Sequence, residues 1–297
     1  MNQKRVQFDF EIEFLNGGGL QGQGFRLDID SDDIDDQVLA DYLIRDLRLL
    51  MVGSARISNK TTLSEPHKRS EQPASSCDSP ATRVDLSHTI EDGMITYKGL
   101  PAPLICDHLS RAQSRSVYAE GTEFQIGRIT MVSNTGTYID SPFHRFPDGS
   151  DIADLTLDLV AGLEATLVRV TGMAGRAIPR EAFSSLDLRG RAVLVHTGWD
   201  AHWRTDQYFE GHPFLTADAA DYLRASGAAL VGIDSYNIDD TSDMHRSVHT
   251  TLLGAGIPIV EHLRGLEQLP ANGARFSAVP PKVRGMGTFP VRAFATF

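Results

Sequence analysis

Residues 131–144 read Met-Val-Ser-Asn-Thr-Gly-Thr-Tyr-Ile-Asp-Ser-Pro-Phe-His. Asn134, Tyr138 and Asp140 stand at i, i+4 and i+6. Side chains of an extended strand alternate with a period of two, so this spacing predicts all three on one face. Pro142 has no N–H to donate and ends the ladder. The chain can then turn and carry His144 over the same face. One short segment thus offers an amide, a phenol, a carboxylate and an imidazole to one pocket. The plain alternative is a polar strand end beside a turn.

The rest of the chain divides by pattern. Val6, Phe8, Phe10, Ile12 and Phe14 alternate with Gln7, Asp9, Glu11 and Glu13, which predicts a half-buried antiparallel strand. Gly17-Gly18-Gly19 supplies a turn, and residues 20–29 return as a second strand. This glycine run lacks the Lys-Ser/Thr of a phosphate loop, so a hairpin is the better reading. The aspartates from Asp28 to Asp36 do not follow calcium-loop spacing. Asp32 and Asp33 are instead expected to cap a helix over about 34–51, with Ile34, Val38, Tyr42, Leu43, Leu47 and Leu50 at helical spacing. Residues 52–63 read as a third strand. Residues 1–63 thus form a small ββαβ unit, expected to dock on the main domain or on another subunit. Residues 64–82, rich in Ser, Pro and charge, read as a linker.

From residue 83 to 297 the chain reads as one α/β domain. Strands are expected over 125–133, 165–171, 192–199, 228–233, 275–280 and 288–296, with a helix capped by Thr216 and closed by Gly227. Several buried strands with few long helices predict a mixed sheet or flattened barrel with outer helices, not a doubly wound fold.

The central stretch resembles the signature H-x-G-T-H-x-D-x-P-x-H of the metal-dependent cyclase / kynurenine formamidase-like hydrolase family. Gly136, Thr137, Asp140, Pro142 and His144 match it, while Asn134 and Tyr138 stand where the family has its first two histidines. Further anchors are Asp85-Leu86-Ser87-His88, Val195 to Trp199, Leu230 to Ser235, His249 to Glu261, and Val291 to Phe294. The resemblance covers residues 83–297 and implies the family fold. It also implies hydrolysis of a carbon–nitrogen bond in a small amide, formamide or lactam, with His144 as acid/base. Asp140, His249 and Glu261 would hold a divalent metal. Homodimers or tetramers are the family expectation.

The two replaced histidines bear on the metal. A neutral Asn134 amide is a weak zinc ligand, and Tyr138 would have to ionise from about pH 10. Asp140, His249 and Glu261 remain as a set for one Zn²⁺ or Mn²⁺. Without a metal, Tyr138 and Asn134 would contact a carbonyl, and His144, poised by Asp140, would move a proton. That arrangement suits a cyclase, isomerase or lyase. A catalytically inactive small-molecule binder is the third reading. The plain alternative for His249 and Glu261 is a buried ion pair at a strand end.

Trp199, with Trp203, Tyr208 and Phe209, is either an aromatic wall for the substrate or core packing. His245 is read as a solvated loop residue; His88, His196 and His262 are read as structural.

Composition narrows the partners. A net charge of −11 disfavours nucleic acid and anionic membrane, leaving a small-molecule substrate. No apolar run approaches the roughly 18 residues of a membrane span. The N-terminus lacks the apolar core of a signal peptide, and Cys77 and Cys106 make no disulfide framework. A cytoplasmic location is therefore expected.

Overall fold

The computed structural model describes residues 3–29, 33–47, 49, 51–65 and 81–297. The chain divides into two compact units, Met1–Ser79 and Pro80–Phe297.

In the first unit, strands Gln3–Phe14, Gly19–Ile29 and Val52–Glu65 form an antiparallel sheet with Gln3–Phe14 in the middle. The alternating residues behave as expected: Val6, Phe8, Phe10 and Ile12 are at most 5% exposed. One helix, Asp36–Asp46, covers that face. It is shorter than the expected 34–51. Asp35 caps it, accepting from the Gln37 N–H at 2.8 Å. Asp32 and Leu50 lie outside the described residues. The packed stripe is Leu39, Ala40 and Leu43, while Val38 and Tyr42 are exposed. Only one stripe can face a sheet, and Leu39 and Leu43 occupy it as an i, i+4 pair. Most of the expected linker, residues 66–80, lies outside the described residues.

The second unit is built on one mixed nine-stranded sheet. Its order is Thr288–Pro290, Tyr138–Asp140, Ile259–Glu261, Leu230–Ile233, Ala192–His196, Leu163–Arg169, Arg275–Ser277, Phe294–Thr296 and Arg83–Asp85. The four strands from Ile259–Glu261 to Leu163–Arg169 run parallel, and the strands on either side pair antiparallel. The parallel strands read as unbroken apolar runs because both faces are buried. Ala192 and Leu194 enter one core with Ile139, Val260 and Phe276. Val193 and Val195 enter the other with Ile259, Leu223 and Leu252. Helices Ala217–Ser226 and Ser247–Gly254 supply the second core's outer layer. Thr216 accepts from the Ala219 N–H, and Gly227 closes the first of these helices at φ +76°.

Residues 125–133 depart from the expectation. Ile126–Thr130 pairs with Leu104–Leu109 in a separate two-stranded sheet, away from the central one. The strand that carries the central motif begins only at Tyr138. Gly136 interrupts it at φ +67°, and its N–H goes to Thr96 Oγ1 at 2.8 Å. A residue with a side chain rarely adopts that left-handed backbone, so glycine is required at this bend. No helix of the described residues is long and apolar enough to cross a membrane.

Candidate active site

Sheet register assembles the site. Tyr138 lies directly opposite Glu261, and Asp140 lies directly opposite both Ile259 and Thr288. Ile139 and Val260 alternate with these residues and point into the first core. Tyr138 and Asp140 therefore share the opposite face, the one onto which helix Ser247–Gly254 packs His249. Glu261 stands at the carboxyl end of its parallel strand, where open α/β sheets place their ligands.

The carboxylate of Asp140 is fully buried. Its Oδ1 accepts the Thr288 hydroxyl, while its Oδ2 has no hydrogen-bond partner. The nearest charged neighbour of Oδ2 is His249 Nε2 at 3.6 Å, and that nitrogen is 3.8 Å from Glu261 Oε1. On its other side, His249 Nδ1 donates to Asp239 Oδ2 at 2.6 Å. Asp239 also accepts the backbone N–H groups of Val248 and His249. This orients the ring so that Nε2 points at Asp140 and Glu261, where a bound cation would take the place of the Nε2 proton.

His144 follows in the short turn Pro142–His144. Its Nδ1 lies 2.8 Å from Thr288 Oγ1 and 3.9 Å from Asp140 Oδ1. Thr288 has one hydrogen and gives it to Asp140, so Nδ1 of His144 is the donor to Thr288. The Nε2 of His144 is thereby left free of that network. Asp140, His144 and His249 each offer a ligand atom within 4.8 Å of the others.

Electrostatics reflect this crowding. Burial works against protonating His249, but the nearby Asp140 carboxylate, the bond to Asp239 and the Glu261 charge outweigh it and push its pKa up to about 10. Burial raises Glu261 to about 7, with the Asp140 charge adding to the rise and the His249 charge opposing it. Burial alone would raise Asp140, yet the adjacent His249 imidazolium, the closeness of His144 and the Thr288 hydroxyl leave it lowered. Three carboxylates surround one imidazole, an arrangement that calls for positive charge.

A cavity of about 340 Å³ opens onto this cluster. Asn134, Tyr138, His144, His249 and Glu261 line it, joined by Asn237, Tyr97, Leu100, Arg145 and Arg246. Five of the seven residues expected from sequence thus meet there, and Asp140 lies directly behind them. Asn134 arrives on the bend before Gly136 rather than by strand alternation.

Tyr138 is 1% exposed, and its hydrogen goes to Glu261 Oε2 at 2.7 Å, so it anchors Glu261. His262 lies behind it, 3.3 Å from the Tyr138 hydroxyl through Nε2 and 2.7 Å from the Tyr208 hydroxyl through Nδ1. Trp199 is not among the lining residues; its indole N–H donates to the Tyr208 carbonyl at 3.0 Å. His245 is exposed, as its loop composition suggests. Sequence reasoning missed Thr288, Asp239 and the two arginines. An Asp ten residues before His249 was the one available signal.

The donors fit a divalent cation. A buried carboxylate oxygen with no partner faces Nε2 of an imidazole that a second carboxylate holds in place. The ligand types, carboxylate and imidazole, suit zinc or manganese.

Comparison with known proteins bears on the family. The profile of the family described as putative cyclase matches residues 84–240. A kynurenine formamidase from Bacillus cereus is 28% identical over 212 residues, spanning 71% of this chain and 95% of that protein. A kynurenine formamidase from Geobacillus thermodenitrificans is 32% identical over 213 residues, with the same shares covered. A solved structure titled as a potential metal-dependent hydrolase with cyclase activity superposes with a TM-score of 0.57 at 27% identity. It covers 73% of this chain and 98% of that one. The mixed sheet, the ordered anchors and these matches lead to one assignment: the chain belongs to the cyclase family, with kynurenine formamidases among its relatives.

Proposed function

We propose that this protein hydrolyses the carbon–nitrogen bond of a small aryl formamide or related aryl amide, with one zinc or manganese ion held at Asp140 and His249. The observation that carries the reading is the unpartnered Oδ2 of Asp140, fully buried beside the oriented Nε2 of His249. The kynurenine formamidase relatives support the bond type. Glu261 is the third donor in this reading. It is 1% exposed, and a buried carboxylate needs a cation beside it.

When bound, such an ion polarises the amide carbonyl and lowers the pKa of water to about 7. The remaining work falls to the chain. His144, with its side chain 37% exposed, is the acid/base. Its Nδ1 is tied through Thr288 to Asp140, which leaves Nε2 to take a proton from water and return it to the departing amine. Water adds to the formyl carbon, the carbon–nitrogen bond breaks, and formate and the free amine leave. Asn134 and Asn237 present amide groups to the substrate, and Tyr97 and Leu100 give the ring an apolar wall. Tyr138 holds Glu261 in place.

The test is turnover of formanilide by zinc- or manganese-loaded protein, read as formate. Release by wild type, lost in Asp140→Asn and reduced in His144→Asn, supports the reading. Equal release by His144→Asn and wild type contradicts the role of His144.

A further inference from the structure

One amide of the cavity is held so that only its donor end is free. Asn237 lines the cavity and is 6% exposed. Its Oδ1 accepts the Asp239 backbone N–H at 3.0 Å, a side-chain turn that spans two residues. An asparagine amide has one oxygen and one NH₂, so this bond leaves Nδ2, with two hydrogens, as the end available to the cavity. Nδ2 donates to no other group among the described residues.

The same three residues build the cluster. Ile238 gives its N–H to Glu261 Oε1 at 2.7 Å. Asp239 accepts from His249 Nδ1 and from the N–H groups of Val248 and His249. A turn that fixes two of the three proposed donors thus fixes the Asn237 amide as well. Ile238 and Asp239 are at most 4% exposed, which leaves the turn little room to rearrange.

Negative charge is the chemical difficulty here. When water adds to an amide carbonyl, its oxygen bonds to the carbon, its proton passes to His144, and the carbonyl electron pair moves onto oxygen. That oxygen gains charge close to the buried carboxylates of Asp140 and Glu261. The hydrogens nearest these carboxylates are already engaged: Tyr138 and Ile238 on Glu261, Thr288 on Asp140. Asn237 Nδ2 is neutral, oriented and unengaged. A donor held in place beforehand costs no reorganisation as the charge develops. When the carbonyl re-forms, the carbon–nitrogen bond breaks and His144 returns the proton to the amine.

From these observations we infer that Asn237 is a catalytic residue whose Nδ2 donates to the oxyanion that develops on the amide carbonyl. This rests on the hydrolase reading for the reaction, but the donor is testable without turnover.

Two substitutions separate this role from a structural one, both read on formanilide at saturating metal. Asn237→Asp keeps the oxygen that accepts the Asp239 N–H and puts a repelling oxygen in place of the NH₂. Asn237→Ala removes the donor and the turn bond together. Asn237→Asp is expected to lower kcat about 10²- to 10³-fold with KM changed less than about threefold, and to be at least as damaging as Asn237→Ala. A role confined to holding the turn gives the opposite order, with Asn237→Asp near wild type and Asn237→Ala impaired. That order overturns the inference and leaves the hydrolase reading standing. N-phenylphosphoramidate carries the tetrahedral centre and the oxygen charge of the addition step, so its calorimetric binding needs no catalysis. Binding weakened in both variants, with no formate from any of the three proteins, upholds the donor and sinks the hydrolase reading. Equal binding by all three proteins overturns the donor.

Discussion

Tyr138 gives its hydroxyl hydrogen to Glu261 Oε2 at 2.7 Å, and the two residues are direct partners on adjacent antiparallel strands. Both are almost completely buried. The bond does two things. It satisfies a carboxylate oxygen in the interior, and it aims the other oxygen, Oε1, at the Ile238 N–H and towards His249. Tyr138→Phe removes only the hydroxyl. It leaves Glu261 Oε2 buried without its donor, and stability is expected to fall by about 1–3 kcal/mol. Denaturant midpoints of the two proteins measure this. An unchanged midpoint would mean that Glu261 does not depend on Tyr138.

His144 reaches Asp140 through Thr288. The threonine hydroxyl is the link that fixes which imidazole nitrogen carries hydrogen. His144→Asn is expected to lower kcat about 10²- to 10⁴-fold while metal content stays at the wild-type level. Thr288→Val keeps the imidazole but frees its orientation, and lowers kcat by a smaller factor. Loss of bound metal in His144→Asn would move His144 from proton transfer to metal ligation.

Gly287 supports His144 from behind. A Cβ added there would lie 2.5 Å from the backbone N and Cα of His144. Backbone has no flexible end to swing away, so the His144 turn must move. Gly287→Ala is expected to cost about 1–3 kcal/mol, as overpacking does, and to reduce turnover without touching any proposed donor. Wild-type turnover in a folded Gly287→Ala protein would show that the position of His144 is not critical.

One buried histidine, His262, and one partly buried, His88, make the fold sensitive to acid. Burial pushes His262 down to about 3, with the His88 charge adding to it. Burial, joined by the Arg264 charge, pushes His88 down to about 3 as well. Each is neutral in the folded protein and ordinary, near 6.5, in the unfolded chain. The unfolded state therefore takes up protons first as pH falls below 6.5, and stability drops. By pH 5 each contributes a loss of about 2 kcal/mol. His88 stacks on Trp203 and its Nε2 has no partner, so His88→Gln removes one titration without breaking a hydrogen bond of that nitrogen. The stability gap between near-neutral pH and pH 5 is expected to narrow in His88→Gln. An identical gap in variant and wild type would refute this origin of the acid sensitivity.

Much of the scaffold was readable because it depends on local periodicity. The alternation at Val6 to Ile12, and the Thr216 and Gly227 pair around a helix, are decided within a few residues. The shared face of Tyr138 and Asp140 follows from the same two-residue period. Asn134 escaped that rule because Gly136 turns the backbone left-handed between them. The packed stripe of the helix in the first unit differs from the expected one because several apolar residues compete for it, and the sheet selects Leu39 and Leu43.

Thr288 and Asp239 were invisible for a different reason. Thr288 meets Asp140 across 148 residues of sequence, through strand register alone. Asp239 is one of several acidic residues in a polar loop, and only the packing of helix Ser247–Gly254 singles it out. Trp199 could be a pocket wall or packing by its sequence context, and its indole N–H goes to the Tyr208 carbonyl.

The most direct test of the account is a metal titration read by chemistry. Chelator-stripped protein is titrated with zinc or manganese, and formate release from an aryl formamide is followed at each ratio. Activity should rise from baseline and saturate at about one ion per chain, and Asp140→Asn should show no rise. Formate release that is already full in stripped protein, or absent at every metal ratio, would contradict the account.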